Sequence, residues 1–75
     1  MYVIIVYDIE VERIDKIRKI LKRYLFWIQN SVFEGELSES GFKRLVAEVK
    51  EKMDKSYDSI IIFKMNSSKS LKKQI

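Results

Sequence analysis

Three blocks of β-branched and aromatic residues, Tyr2–Tyr7, Phe26–Leu37 and Tyr57–Met65, alternate along the chain with two stretches whose apolar residues recur at helical spacing. That alternation, packed into 75 residues, leaves room for one small sheet with two helices and no second domain. The first block is an unbroken apolar run that stops at Asp8, the pattern of a strand covered on both faces. Between Val11 and Leu25, Ile14, Ile17, Leu21 and Tyr24 fall at steps of three and four, and Arg13, Lys16, Lys19, Lys22 and Arg23 occupy the gaps. This is an amphipathic helix with a cationic outer side.

The middle block alternates in its second half, Val32-Phe33-Glu34-Gly35-Glu36-Leu37, and reads as extended. Two forms fit it: a hairpin turning at Asn30-Ser31, or one bent strand. Ser38 then stands as an N-cap with Glu39 in the first turn, where the helix dipole favours a negative charge. Phe42, Leu45, Val46, Val49 and Met53 form the stripe of a second helix running to about Lys52. With the hairpin, the order becomes βαββαβ over residues 1–65, the ferredoxin-like α+β arrangement: an antiparallel sheet with both helices on one face. The other face then carries apolar side chains with nothing over them, and a homodimer is the expected cover. Residues 66–75 are too polar for a core and are expected as a C-terminal tail or an edge strand packing on the partner subunit.

Composition removes whole reaction classes. The chain has no Cys and no His, which excludes disulfides, thiolate or imidazole catalysis, and zinc sites of the usual donor type. Fifteen Lys and Arg stand against eleven Asp and Glu, and three of the lysines, Lys69, Lys72 and Lys73, lie in the last ten residues without an acid among them. A basic balance placed this way suits an anionic partner such as nucleic acid, although solvated termini are often lysine-bearing. No apolar run approaches the ~20 residues of a membrane span, and the apolar start lacks a basic leader and a small-residue cleavage site. A cytoplasmic protein with no membrane partner is expected.

Asp8 is the residue to which chemistry most readily attaches, because a carboxylate at the end of a buried strand is partly withdrawn from water. Its spacing leaves two roles open, a cap for the following helix or a metal ligand. One carboxylate is a poor site by itself; two Asp8 side chains brought together across a two-fold axis would make a reasonable Mg²⁺ site. Glu10, Glu12 and Asp15 lie nearby but are also expected in a first helical turn from the dipole alone. Phe26, Trp27 and Phe33 are expected as core or interface anchors.

Tyr2-Val-Ile-Ile-Val-Tyr-Asp8-Ile9, followed after a basic helix by Gln29-Asn-Ser31-Val32-Phe33-Glu34-Gly-Glu-Leu37, resembles the CRISPR-associated protein two family, and Asp58-Ser-Ile-Ile-Ile-Phe63 extends the likeness. The resemblance implies a ferredoxin-like homodimer whose C-terminal strand packs on its neighbour. It also implies a Mg²⁺-dependent endonuclease that cleaves single-stranded RNA or double-stranded DNA and works in spacer acquisition with an integrase subunit. Asp8 matches the family's metal-binding, catalytic aspartate; Tyr7 and Phe33 match aromatic positions expected to shape the site. The alternative is a non-catalytic dimeric scaffold, with Arg13, Lys16, Lys19 and Arg23 gripping nucleic-acid phosphates. Two departures stand out: Trp27 occupies a position often basic in relatives, and the sequence ends at Ile75, earlier than many relatives, from which a reduced swapped strand is expected.

Overall fold

The structure, a computed structural model, describes residues 1–66. Its elements run β1 (Tyr2–Asp8), α1 (Val11–Tyr24), β2 (Phe26–Gln29), β3 (Val32–Glu36), α2 (Glu39–Lys52) and β4 (Ser59–Met65). The four strands form one sheet in the order β2-β3-β1-β4, with every neighbouring pair antiparallel. Each helix therefore crosses over one intervening strand, which is the ferredoxin-like βαββαβ topology that the order of periodic segments implies. Residues 67–75, and with them the expectation of a strand exchanged with a partner, lie outside the described residues.

Of the two readings of the middle block, the hairpin is the one adopted. Its turn at Asn30-Ser31 puts Asn30 at φ 41°, a left-handed conformation that a short amide side chain tolerates better than most. The register shifts between Trp27 and Gln29, so β2 carries a bulge beside the turn. α2 starts where its cap predicts, with the Gly41 backbone N–H donating to Ser38 Oγ at 3.0 Å. Lys22 and Arg23 close α1, and Lys50 and Lys52 close α2, each pair complementing the negative end of the helix dipole.

The core lies between the helices and one sheet face. Val3, Ile5, Ile17, Leu21, Phe33, Leu45 and Val49 are fully buried there. β1 corrects the expectation of a strand covered twice: Val3, Ile5 and Tyr7 are buried, while Tyr2, Ile4 and Val6 are only half-buried. Period-two alternation puts the second set on the face that no helix covers. Across that face the register aligns Ile4 with Phe63 and Val6 with Ile61 on one side, and Val6 with Val32 on the other. Phe63 and Ile61 remain 51% and 56% exposed, and Phe26 on β2 75%. Among the described residues no helix is long and apolar enough to cross a membrane.

Candidate functional site

Asp8 ends β1 opposite Ser59, the first residue of β4. It follows Tyr2, Ile4 and Val6 on the uncovered face, and it is exposed rather than partly withdrawn from water. The capping role is taken elsewhere. The N-cap of α1 is Glu10, which has no side-chain cap, and its backbone N–H donates to Asp58 Oδ1 at 2.9 Å. Asp8 is therefore left out of the start of α1, with its carboxylate at the rim of an apolar surface.

The carboxylate that holds this corner together is Asp58. Its side chain is fully buried and accepts from Glu10 N–H, from Asp54 N–H at 2.8 Å, and from Arg13 through Nε at 2.6 Å and Nη2 at 2.9 Å. The Arg13 guanidinium, aided by the two backbone N–H groups, outweighs burial and holds the Asp58 carboxyl well below the usual carboxylate range. One side chain thus ties the β1–α1 connection, the first turn of α1 and the loop before β4, immediately next to the Asp8–Ser59 pair. Sequence reasoning missed it because Arg13 reads as one cation among several on a helix.

Arg13 is accordingly turned toward Asp58 instead of standing open to phosphate. Arg23 pairs with Glu48 on α2 at 2.6 Å, and Glu48 also accepts from the Tyr24 hydroxyl. Lys16 and Lys19 are exposed and form no ion pair among the described residues. The four cations expected to grip phosphates are thus divided, with Arg13 and Arg23 paired within the fold and Lys16 and Lys19 open to solvent. Glu10, Glu12 and Asp15 are exposed, and among the described residues no three His, Cys, Asp or Glu side chains are grouped as a metal site.

Tyr7 and Phe33, the aromatic pair expected to shape the site, stand on the helix-covered face, behind the Asp8 carboxylate. Adjacent residues of a strand point to opposite faces, and Tyr7 is the neighbour of Asp8. Their rings lie 6.1 Å apart, and the Tyr7 hydroxyl donates to the Asn30 carbonyl at 3.3 Å and accepts from Arg18 Nε at 2.8 Å. They fix the end of β1 against the hairpin turn from behind. Arg18 was absent from the cationic set read off the sequence, and with Lys22 it lies over the Trp27 ring.

The fold and site define a small ferredoxin-like α+β domain with one exposed carboxylate at the end of a central strand, on the rim of an apolar sheet face that no helix covers. The comparisons specify which: the sequence profile of CRISPR associated protein Cas2 matches residues 1–73, and the chain belongs to this family. The CRISPR-associated endoribonuclease Cas2 of Thermococcus kodakarensis is 46% identical over 67 residues, covering 89% of this chain and 79% of that relative. A crystal structure described as that of cas2 superposes with a TM-score of 0.80 at 51% identity, covering 84% of this chain and 71% of that one. Cas2 of Streptococcus pyogenes, crystallised at pH 6.5, gives a TM-score of 0.84 at 25% identity, covering 100% and 95% of the two chains.

Proposed function

We propose that the chain is a CRISPR-associated endoribonuclease that acts as a homodimer, with Asp8 of each copy holding Mg²⁺ between them. The observation that carries this reading is the position of Asp8: an exposed carboxylate on the rim of the one sheet face left apolar and uncovered. A second copy seated on that face removes apolar surface from water and sets two carboxylates on a common axis. The relatives named as endoribonucleases support the reaction class. The donor chemistry fits a hard cation bound through oxygen, since the sequence offers no His or Cys, and a single chain brings one carboxylate where two suffice.

When bound, Mg²⁺ supplies polarisation of a phosphoryl oxygen and a more acidic water. Asp8 holds and orients, the Arg13–Asp58 pair fixes the strand end that carries it, and Lys16 and Lys19 hold phosphates. With no His in the sequence, no imidazole takes the role of general base. A second reading, a dimeric scaffold that presents nucleic acid to an integrase in spacer acquisition, draws on the same surfaces and is favoured by the thinness of a site built on one carboxylate per chain. The two separate on Asp8.

The test is cleavage of labelled single-stranded RNA and of duplex DNA by the unmodified chain and by Asp8→Asn, with Mg²⁺ and with chelator. Cleavage that vanishes with chelator and in Asp8→Asn is expected, and the substrate that is cut names the preference. Binding without cleavage in both chains would leave the scaffold in its place.

A further inference from the structure

The chain's single tryptophan stands on the outer strand of the sheet. Trp27 is 49% exposed, yet its ring is held in place: the indole N–H donates to the Asn30 carbonyl at 2.9 Å, and Phe33 lies beside it at 6.4 Å between centroids and 18° between planes. Two cations one helical turn apart on α1 lie over the same ring, the Arg18 guanidinium carbon at 5.1 Å and the Lys22 ammonium at 5.4 Å from its centroid. Arg18 is fixed further by the hydrogen bond from its Nε to the Tyr7 hydroxyl.

What sets this pair apart is that two cations without an ion-pair partner among the described residues share one aromatic ring. Residues 67–75 contain no Asp or Glu. Arg13 and Arg23, on the same helix, are both matched by carboxylates. An aromatic face positions a cation without neutralising it. Two like charges at i and i+4 repel, so an anion bridging them over the ring would relieve that repulsion. Tyr7 N–H donates to the Ser31 carbonyl at 3.1 Å, which puts the hairpin turn beside Trp27 and the Asp8 end of β1 at the same end of the sheet.

We propose that Arg18, Lys22 and Trp27 form a binding strip for one nucleic-acid strand, in which the two cations hold phosphates and the indole packs against a base. A strand lying there sits on the helix-covered side of the sheet, at the same end as the Asn30-Ser31 turn, while the Asp8 side chain belongs to the opposite face. The choice of a single strand over a duplex follows from the indole, because a base packs on an aromatic ring only when it is unstacked from its own helix. The inference takes its substrate class from the nuclease reading, and it concerns where the strand is held rather than whether it is cut.

The experiment uses the full chain carrying Asp8→Asn, in chelator, so that binding is read without cleavage. Because Trp27 is the sole tryptophan, intrinsic indole fluorescence reports this strip alone, while anisotropy of an end-labelled single-stranded RNA reports binding anywhere. The two signals are expected to saturate together. Adding R18Q and K22Q is expected to weaken binding about tenfold and to reduce the salt slope of log K by about 1.4, the loss of two single-strand phosphate contacts. The charge-preserving pair R18K and K22R keeps binding, which separates charge from folding, and K43Q with K50Q on α2 leaves it unchanged. Anisotropy that reports tight binding with no change in Trp27 fluorescence would overturn the strip, as would R18Q/K22Q binding like its parent. Duplex RNA that binds and changes the fluorescence as strongly would overturn the single-strand assignment. An unmodified chain that binds through the strip but cuts nothing in Mg²⁺ would sink the nuclease reading and leave the strip standing.

Discussion

Arg13 and Asp58, 45 residues apart in sequence, meet through two nitrogen–oxygen contacts of 2.6 and 2.9 Å. The contact joins the first turn of α1 to the residue just before β4, and Asp8 pairs with the next residue, Ser59. The corner that carries the candidate ligand is therefore set by an ion pair in which neither member is a proposed ligand. A buried carboxylate that has lost its cation is costly, whereas an exposed lysine on the same helix contributes little.

Arg13→Ala is accordingly expected to lower the urea midpoint clearly, while Lys19→Ala stays within about 0.5 kcal/mol of the parent. A double-mutant cycle with Asp58→Asn tests the assignment directly. Strong coupling between positions 13 and 58 is expected, and additive effects would show that Arg13 acts through something other than Asp58.

The same pair contributes to the acid limb of stability. Asp58 is held below its ordinary value when folded, so its contribution is fully present above the unfolded value of about 3.9 and is lost as pH falls toward the folded value. At the alkaline end the sign reverses. The hydrogen bond to Glu34, with burial and the Glu34 and Glu36 charges, pushes the Tyr2 phenol up to about 12, so its contribution is present below about pH 10 and disappears as pH rises through 12. Thermal melts against pH should show Asp58→Asn flattening the acid limb alone and Tyr2→Phe the alkaline limb alone. A variant that flattened both limbs, or neither, would contradict these assignments.

In the core, Leu45 is fully buried on the inner side of α2. Leu45→Ala removes buried methyl groups and leaves a cavity, an expected loss of about 3 kcal/mol measured by denaturant unfolding. A loss under about 1 kcal/mol would mean that the helix–sheet interface closes over the gap.

Local periodicity made the elements legible, and sequence separation hid the site. The stripe from Phe42 to Met53 and the Ser38 cap locate α2 almost to the residue, because helix signals are carried by neighbours. Alternation alone already placed Tyr7 and Asp8 on opposite faces, and the indirect role of Tyr7 follows from it once β1 is known to be covered on one side. An apolar run does not state how many of its faces are covered, which is why Tyr2, Ile4 and Val6 read as core. The Arg13–Asp58 contact and the gathering of Arg18 and Lys22 over Trp27 depend on how distant elements pack. Charge patterning along α1 treats these cations alike, while the fold divides them into paired and unpaired.

The uncovered face yields the last prediction. Ile61 and Phe63 stand beside Val6 and Ile4 on the sheet surface that runs to Asp8, and a dimer formed there would bury all four. A carboxylate placed in the middle of that contact would lose its water without gaining a partner, and two-fold symmetry would set it near its own copy. Ile61→Glu is therefore expected to weaken dimerisation about 100-fold, the equivalent of roughly 3 kcal/mol, and sedimentation at micromolar concentration should show it as a folded monomer. Its cleavage activity should fall with the dimer even though Asp8 is intact, because one chain supplies one carboxylate. A monomeric Ile61→Glu chain that still cut RNA at the parental rate would mean that Asp8 works without its counterpart, and the two-copy site would have to be abandoned.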